Sequence, residues 1–439
     1  MKKFLAIVLS SLFVLGIAGV AFAVQAEIPA DTTAVTAKGA TNVTIDGSIR
    51  IRGAMSQLDM DSDVGGTSSS YDHRVTLGAT AKLEKVTGRI LFEAGGGASS
   101  DVYTPGTNDG ATGVYTQGNA KQSTPMLLES WILYKGDKVG LKAGHMPLAL
   151  GNNLFFNHTK FGDDAIVLFM DPTKEIHVGL LTIKIDEESS EVKGNTEDSD
   201  AYVGLMTFKS EAFNASADIT YLIDGDFLAA NGLKFYNIGL RGDTKVGPLT
   251  VKADLELQSG SVEEGVSATQ DYDLSGSAIM LGASMKLDPV SLSLEIGRGS
   301  GDDSGTANEL ETFVTSLGAG APYPAFIYGP RVKTAANATN TGIANTQYIK
   351  VGAGAKVGPV DVKADLLLLT AVEEVDLGSS GTKSDDLGME FDAKGTYKLA
   401  KNLTYWIEGG YFMPGDAYKT ATKDADSAWA LRHGLELSF

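Results

Sequence analysis

Along most of this chain apolar and polar residues alternate one by one. Residues 43–53 show the pattern cleanly, with Val43, Ile45, Gly47, Ile49, Ile51 and Gly53 on one side and Thr44, Asp46, Ser48, Arg50 and Arg52 on the other. A period of two predicts an extended strand whose two faces meet different surroundings. Residues 429–439 repeat it: Trp429, Leu431, Leu435, Leu437 and Phe439 share a face that only His433 interrupts, opposite Ala430, Arg432, Gly434, Glu436 and Ser438. From Asn42 onward the chain reads as one domain of about eighteen such segments, each about 10 residues long; splitting one segment wrongly would reduce the number to about 16.

The connections between segments are alternately very short and long. Two near-repeats, residues 245–255 and 356–366, share a strand, Gly-Pro turn, strand plan around Gly247-Pro248 and Gly358-Pro359, where the missing proline donor costs nothing. Asp288-Pro289, Asp171-Pro172, Gly136-Asp137 and residues 400–402 sit at equivalent short turns. Long connections are read at about residues 56–70, 99–125, 151–162, 187–199, 259–272, 299–345, 373–386 and 414–424, with boundary errors of about two to four residues. Short turns at one end and long loops at the other describe an all-β, antiparallel up-and-down barrel in a membrane, and an even strand count returns the C-terminal segment to the side on which the N-terminal one began.

The N-terminal residues point outside the cytoplasm. Lys2 and Lys3 precede an apolar run over residues 4–20 that ends in Ala21-Phe22-Ala23, the layout of a signal peptide over residues 1–23, with a second acceptable cleavage site at Val24-Gln25-Ala26. Residues 24–41 are polar and aperiodic and read as a periplasmic lead-in, which leaves 42–439 for the barrel. No later apolar run approaches the roughly 18–20 residues of a helical span, so a membrane location leaves only a closed barrel. Composition agrees, with 52 Gly, 12 Pro and 43% hydrophobic residues in 439. With no cysteine there is neither a lipid anchor nor a thiolate metal site, and a formal charge of -19 argues against nucleic acid.

Charge then decides which face is which. One Lys or Arg at the bilayer midplane costs about 2–4 kcal/mol, so strands carrying Lys252, Asp254 and Glu256, or Asp361, Lys363 and Asp365, must turn these inward. A barrel of this width is not filled by its own wall side chains, which predicts an aqueous, charged interior. Parity assigns Arg50, Arg52, Arg74, Arg89, Glu93, Glu129, Arg241, Lys252, Asp254, Glu295, Lys350, Lys363, Glu390, Glu408 and Arg432 to its lining. The signs are mixed, so the wall makes a transverse field and not a filter for one sign. The connection over 299–345 is several times the usual length and contains Leu310, Phe313, Val314, Leu317, Tyr323, Phe326, Ile327 and Tyr328. Two readings stand for it. It folds into the barrel and narrows it at Tyr323, Phe326, Tyr328, Arg331 and Lys333, or it forms a lid at the cell surface.

Residues with catalytic potential do not assemble into a motif. His73, His145, His158, His177 and His433 are scattered, none at metal-ligand spacing, and Gly95-Gly96-Gly97 is not followed by a helix that could hold phosphate. The reading is a non-enzyme with no cofactor and no metal.

The last residues, apolar at Leu435 and Leu437 and ending on Phe439, resemble the C-terminal strand of bacterial outer-membrane barrels, which in that family is the signal read by the barrel-insertion machinery. Residues 129–136, 139–148 and 161–168, with Trp131, Gly144-His145-Met146-Pro147 and Phe161-Gly162-Asp163-Asp164, look like the matching section of Gram-negative outer-membrane porins and alginate-export-type barrels. The exporter pattern favours Gly-Arg-Gln where this chain has Gly144-His145-Met146. The resemblance implies an eighteen-stranded channel in the outer membrane, in contact with its lipids and lipopolysaccharide, passing small hydrophilic solutes passively. A barrel dedicated to one substrate, such as an acidic polysaccharide, and a non-conducting surface adhesin are the alternatives. A homo-oligomer is left open.

Overall fold

The structure is a computed structural model that describes residues 35–37, 41–61, 63, 65–94, 125–186, 198–224, 232–262, 271–303, 305–306, 308–315, 324–332, 334–335 and 342–439. Eighteen wall strands follow in chain order among these: β1 (Thr41–Gln57), β2 (Ser68–Lys82), β3 (Val86–Ala94), β4 (Met126–Lys135), β5 (Val139–Ala149), β6 (Asn157–Met170), β7 (Ile176–Asp186), β8 (Ser199–Lys209), β9 (Phe213–Asp224), β10 (Leu233–Val246), β11 (Leu249–Val262), β12 (Ser277–Leu287), β13 (Val290–Gly299), β14 (Thr346–Val357), β15 (Val360–Val375), β16 (Ser384–Ala400), β17 (Leu403–Pro414) and β18 (Ala428–Ser438). Each pairs antiparallel with the next, and β18 returns to β1 with Leu437 opposite Ile49 and Trp429 opposite Gln57. The ring is therefore closed, and no edge is left to expose unpaired backbone groups to lipid. The expected count of eighteen is the observed one.

Local chemistry explains the hairpins. Gly247 and Gly358 open two-residue connections with φ of 61° and 60°, the positive φ that a tight β-hairpin asks of its first loop residue, and the proline that follows supplies the negative φ of the second. The other short connections fall at residues 83–85, 136–138, 171–175, 210–212, 288–289 and 401–402, all at the same end. The opposite end has one long connection more than the alternation suggests, between Asp224 and Leu233. Phe227 and Leu228 within it keep that stretch from standing out as a polar loop.

The burial pattern is inverted relative to a water-soluble sheet. On β11, Leu257 is 45% exposed on the outer face while Asp254 and Glu256 are 0% exposed inside. Ile132, Ile166, Leu180 and Met206 are likewise more than half exposed on the outer faces of β4, β6, β7 and β8. Such a surface is stable only against hydrocarbon. Aromatic rings mark the limits of that band. Tyr202, Tyr221 and Tyr236 stand side by side on β8, β9 and β10, with ring centroids 6.5 and 4.7 Å apart; the next outward row towards the long loops holds Asp200 and Lys234. Near the short turns Phe208 and Phe213 face each other at 6.4 Å. From Phe213 to Tyr221 the strand rises about 27 Å, or about 20 Å once tilted, close to the height of an outer-membrane apolar belt.

The interior corrects the expectation of charge and water throughout. In the half nearest the long loops the inner wall of β7 to β10, β15 and β17 is apolar, with Ile183, Val203, Leu222, Phe235, Leu367, Leu369 and Phe412 buried. Three inward segments, residues 150–156, 310–315 and 324–332, pack Phe155, Phe156, Phe313, Ile327 and Tyr328 against it in one cluster. The cause is geometric: eighteen strands enclose more space than their own side chains fill, and loops that fold into it need an apolar wall for their apolar residues.

Candidate channel interior

Strand parity brings the inner-facing ions into two groups on opposite sides of the ring. The first lies on β18, β1, β2 and β3. Arg50 stands directly opposite Arg74 across the β1–β2 ladder, and a buried Arg50 Nε has no hydrogen-bond partner. Arg52 donates to Asp72 at 2.7 Å, Arg74 pairs with the buried Glu93, and Arg89 reaches Asp46 at 2.8 Å and Glu129 at 3.2 Å. Glu129 also accepts from Trp131 Nε1 at 2.7 Å. Arg432 pairs with Glu408, which takes a second bond from Lys394 at 2.9 Å.

The second group is centred on β10, half a circumference away. Arg241 is surrounded by three carboxylates, Asp218, Asp254 and Glu256, and all four side chains are at most 5% exposed. Asn237 donates to Glu256 at 2.7 Å, while Asn152 approaches Asp254 with its backbone N–H at 3.2 Å and its side-chain amide at 3.0 Å. Asn152 belongs to the inward segment 150–156, so this buried ion cluster also ties a loop to the wall. Further round, Lys252 bonds Glu295 at 2.8 Å, Glu295 accepts from Tyr348 Oη at 2.9 Å, and Lys363 bonds Asp365 at 3.1 Å.

Between the two groups lies the anchor of the segment 324–332. The carboxylate of Glu390, on β16, accepts the backbone N–H groups of Phe326, Ile327 and Tyr328, with Phe326 and Tyr328 at 2.8 Å. Asp392 adds a contact to the Phe326 N–H at 3.1 Å, and Lys350 donates to the Pro324 carbonyl at 2.9 Å. Tyr328 Oη bonds Thr346 at 2.8 Å. Arg331 turns back onto its own segment instead of meeting a wall carboxylate: its guanidinium donates to the Phe326 carbonyl and lies 3.8 Å from the Phe326 ring centroid, with Arg432 at 4.8 Å from the same ring. Burial, and then the neighbouring Arg432, push Arg331 down to about 10, so it remains a cation at neutral pH. Tyr323 and Lys333 lie outside the described residues.

Leu435, Leu437 and Phe439 lie along the outer face at the seam, and Phe439 exchanges backbone bonds with Gly47 at 2.9 and 3.0 Å. Among the described residues no group of three His, Cys, Asp or Glu could hold a metal ion. His158 pairs with Asp163 at 2.8 Å, His145 with Asp164 at 2.9 Å and His177 with Asp171 at 2.6 Å.

A family model described as alginate export matches residues 229–430. No curated protein matches the sequence. Among solved structures, the barrel superposes on Acinetobacter baumannii OccAB1 with a TM-score of 0.55 at 13% identity, covering 90% of this chain and 96% of that one. Pseudomonas aeruginosa OpdL gives 0.56 at 10% identity, and P. aeruginosa OpdK, solved with vanillate, gives 0.55 at 10%; each comparison covers 90% of this chain and 98% of the other. The chain has the porin fold. At these identities the likeness carries architecture, so the roles of individual lining residues rest on the geometry above.

Several residues that hold the barrel interior together were not singled out from the sequence. Asn152 and Gln258 are two; Gln258 clamps the segment 310–315 by accepting from the Val314 N–H at 2.9 Å and donating to its carbonyl at 2.7 Å. Leu154-Phe155-Phe156, three large apolar residues inside a connection, were an available signal that this loop is not solvated.

Proposed function

We propose that this protein is an outer-membrane porin that lets small hydrophilic solutes diffuse passively through a water-filled passage, with the segment around Phe326 and Arg331 narrowing it. The carrying observation is the anchorage of that segment on Glu390: a buried carboxylate on the wall holds three successive loop N–H groups inside a ring whose outside is apolar. The inner-facing ions are the groups that solutes meet, and Leu435, Leu437 and Phe439 serve as the insertion signal. The interior does no covalent chemistry in this reading. Single-channel recording on purified, refolded protein in planar bilayers tests it. Discrete conductance steps that grow when residues 324–335 are deleted are the expected result; a folded barrel that never conducts would leave the adhesin reading standing.

The match over residues 229–430 favours a second reading, a barrel dedicated to an acidic polysaccharide. Arg50, Arg52, Arg74 and Arg89 would serve a polyanion, but Arg52, Arg74 and Arg89 are each paired with a wall carboxylate, and the sequence is acidic overall. Reversal potentials in a salt gradient and competition by alginate oligosaccharides separate the two readings.

A further inference from the structure

The inner face of the wall is not polar all the way round even below the packed loops. On β4 to β8, one register row carries Leu133, Lys142, Val167, Leu181 and Val203, and the next row towards the short turns carries Phe169, Gly179 and Leu205. Leu181 and Val203 are buried under the inward loops, but Leu133, Val167, Phe169 and Leu205 are each partly exposed on the side away from lipid. The Phe169 ring lies flat against the wall: a Cβ added at Gly140 would fall 2.1–2.7 Å from three of its ring carbons. One face of the ring therefore covers Gly140 and the other is turned to the interior, with the His177 ring beside it at 5.6 Å between centroids and 34° between planes. Trp131 borders the same surface, with Lys142 Nζ 4.2 Å from its ring centroid.

Directly beside this shelf is a polar cavity. Leu205 and Thr207 are successive inner-facing residues of β8, and Thr207 lines a cavity of about 200 Å³ together with Asn152, Asn214, Ser216, Asp243 and the cations Lys209, Arg241 and Lys252. Amide, hydroxyl, ammonium and carboxylate groups converge there. Its roof is Gly151-Asn152, held by Asp254. An apolar surface leading into a small cavity with a few convergent polar groups is the general form of a small-molecule site.

We propose that this shelf and cavity together form a binding station for neutral amphipathic solutes, in which a flat apolar ring stacks on Phe169 beside Leu205 while a polyhydroxyl group hydrogen-bonds in the cavity. Arg241 and Lys252 at the cavity are balanced by carboxylates of their own, Asp218, Asp254 and Glu256 for the first and Glu295 for the second, so the station needs no charge on the solute. It rests on the porin reading for its access route. The Lys142–Trp131 contact closes its far side and keeps a cation available without requiring one.

The test compares phenyl β-D-glucoside with methyl β-D-glucoside, two uncharged probes that differ in the ring alone. In single-channel recordings the phenyl probe should block for about threefold to tenfold longer, the range expected of one aromatic stack. Phe169→Leu, which keeps the apolar packing and removes the ring, should abolish that difference, and Asn214→Ala should shorten block by both probes. Trp131→Leu serves as a second ring deletion should Phe169→Leu fail to fold, as judged by gel mobility before and after heating. An open channel blocked equally by both probes, or a phenyl preference that survives loss of each ring, overturns the station and leaves the porin reading intact. If no conductance is seen at all, the porin reading fails, and saturation-transfer NMR on the detergent-solubilised barrel still decides the station: transfer to the phenyl protons that is lost in Phe169→Leu supports it, and no transfer rejects it.

Discussion

Replacing Glu390 by alanine should release the segment it holds without opening the barrel. Glu390 is 0% exposed and satisfies three backbone donors on consecutive residues. Each buried N–H left without an acceptor costs about 1–3 kcal/mol, and the low end applies here because water in the passage can reach the freed groups. The Phe326 N–H keeps Asp392 at 3.1 Å, so the two donors of Ile327 and Tyr328 at about 1 kcal/mol each give about 2 kcal/mol, a shift of about 30-fold towards the detached segment. Glu390→Gln keeps one acceptor oxygen and the side-chain volume, and should lose roughly half of that. The chain contains no cysteine, so Ile327→Cys, at a 0% exposed position, reports detachment directly. Its modification by a water-soluble thiol reagent should be at least about tenfold faster in the Glu390→Ala background, alongside larger and noisier single-channel currents. Unchanged current, noise and thiol reactivity in a barrel that still folds would refute the argument that this carboxylate anchors the loop.

Further outcomes follow from other contacts. Arg241→Met strands three buried carboxylates and should destabilise the barrel by about 3–5 kcal/mol in urea unfolding from lipid vesicles; a Tm or midpoint like that of the unsubstituted protein would contradict the described cluster. Gly140→Ala drives a methyl group into the Phe169 ring and should cost about 1–3 kcal/mol, most of it recovered in the double variant with Phe169→Leu. Outside the membrane, Lys423 bridges Asp61 and Asp63 between the β1–β2 and β17–β18 connections. The bond from Lys423 holds Asp61 below its ordinary value of 3.8 and Asp61 in turn raises Lys423 above 10.5. A depressed carboxylate stabilises above its unfolded pKa and loses that as pH falls through its folded one, whereas a raised ammonium loses it only as pH climbs through its own. Hydrogen exchange at Gly65 and Lys423 should thus show a latch intact across neutral pH and released below the ordinary carboxylate range; release near pH 6 would exclude this pair as its cause.

The wall was legible from the sequence because a strand's faces are separated by single residues, and a charged residue such as Lys252 or Asp254 fixes which face meets lipid. Strand number and the Gly-Pro hairpins follow from that alternation and from turn chemistry. The apolar inner rows were not legible, since Leu181, Val203 and Leu205 alternate with Leu180, Gly204 and Met206, and where both faces are apolar, parity does not distinguish inside from outside. The loop anchors were hidden for another reason. Glu390 was placed on the lining by parity, but its partners are backbone N–H groups about 60 residues away, and no side-chain pattern announces a carboxylate that binds amides.

The seam between β1 and β18 sets the order in which this molecule can mature. Seventeen of the wall pairings join neighbours in the chain, but the eighteenth joins Gln57 to Trp429. Until that final strand arrives, every shorter product has two raw margins that invite pairing with other chains. Export has to deliver almost the entire polypeptide before any of it can be sealed, and premature stop codons, even late ones, should yield material destined for periplasmic proteases and not a smaller working barrel.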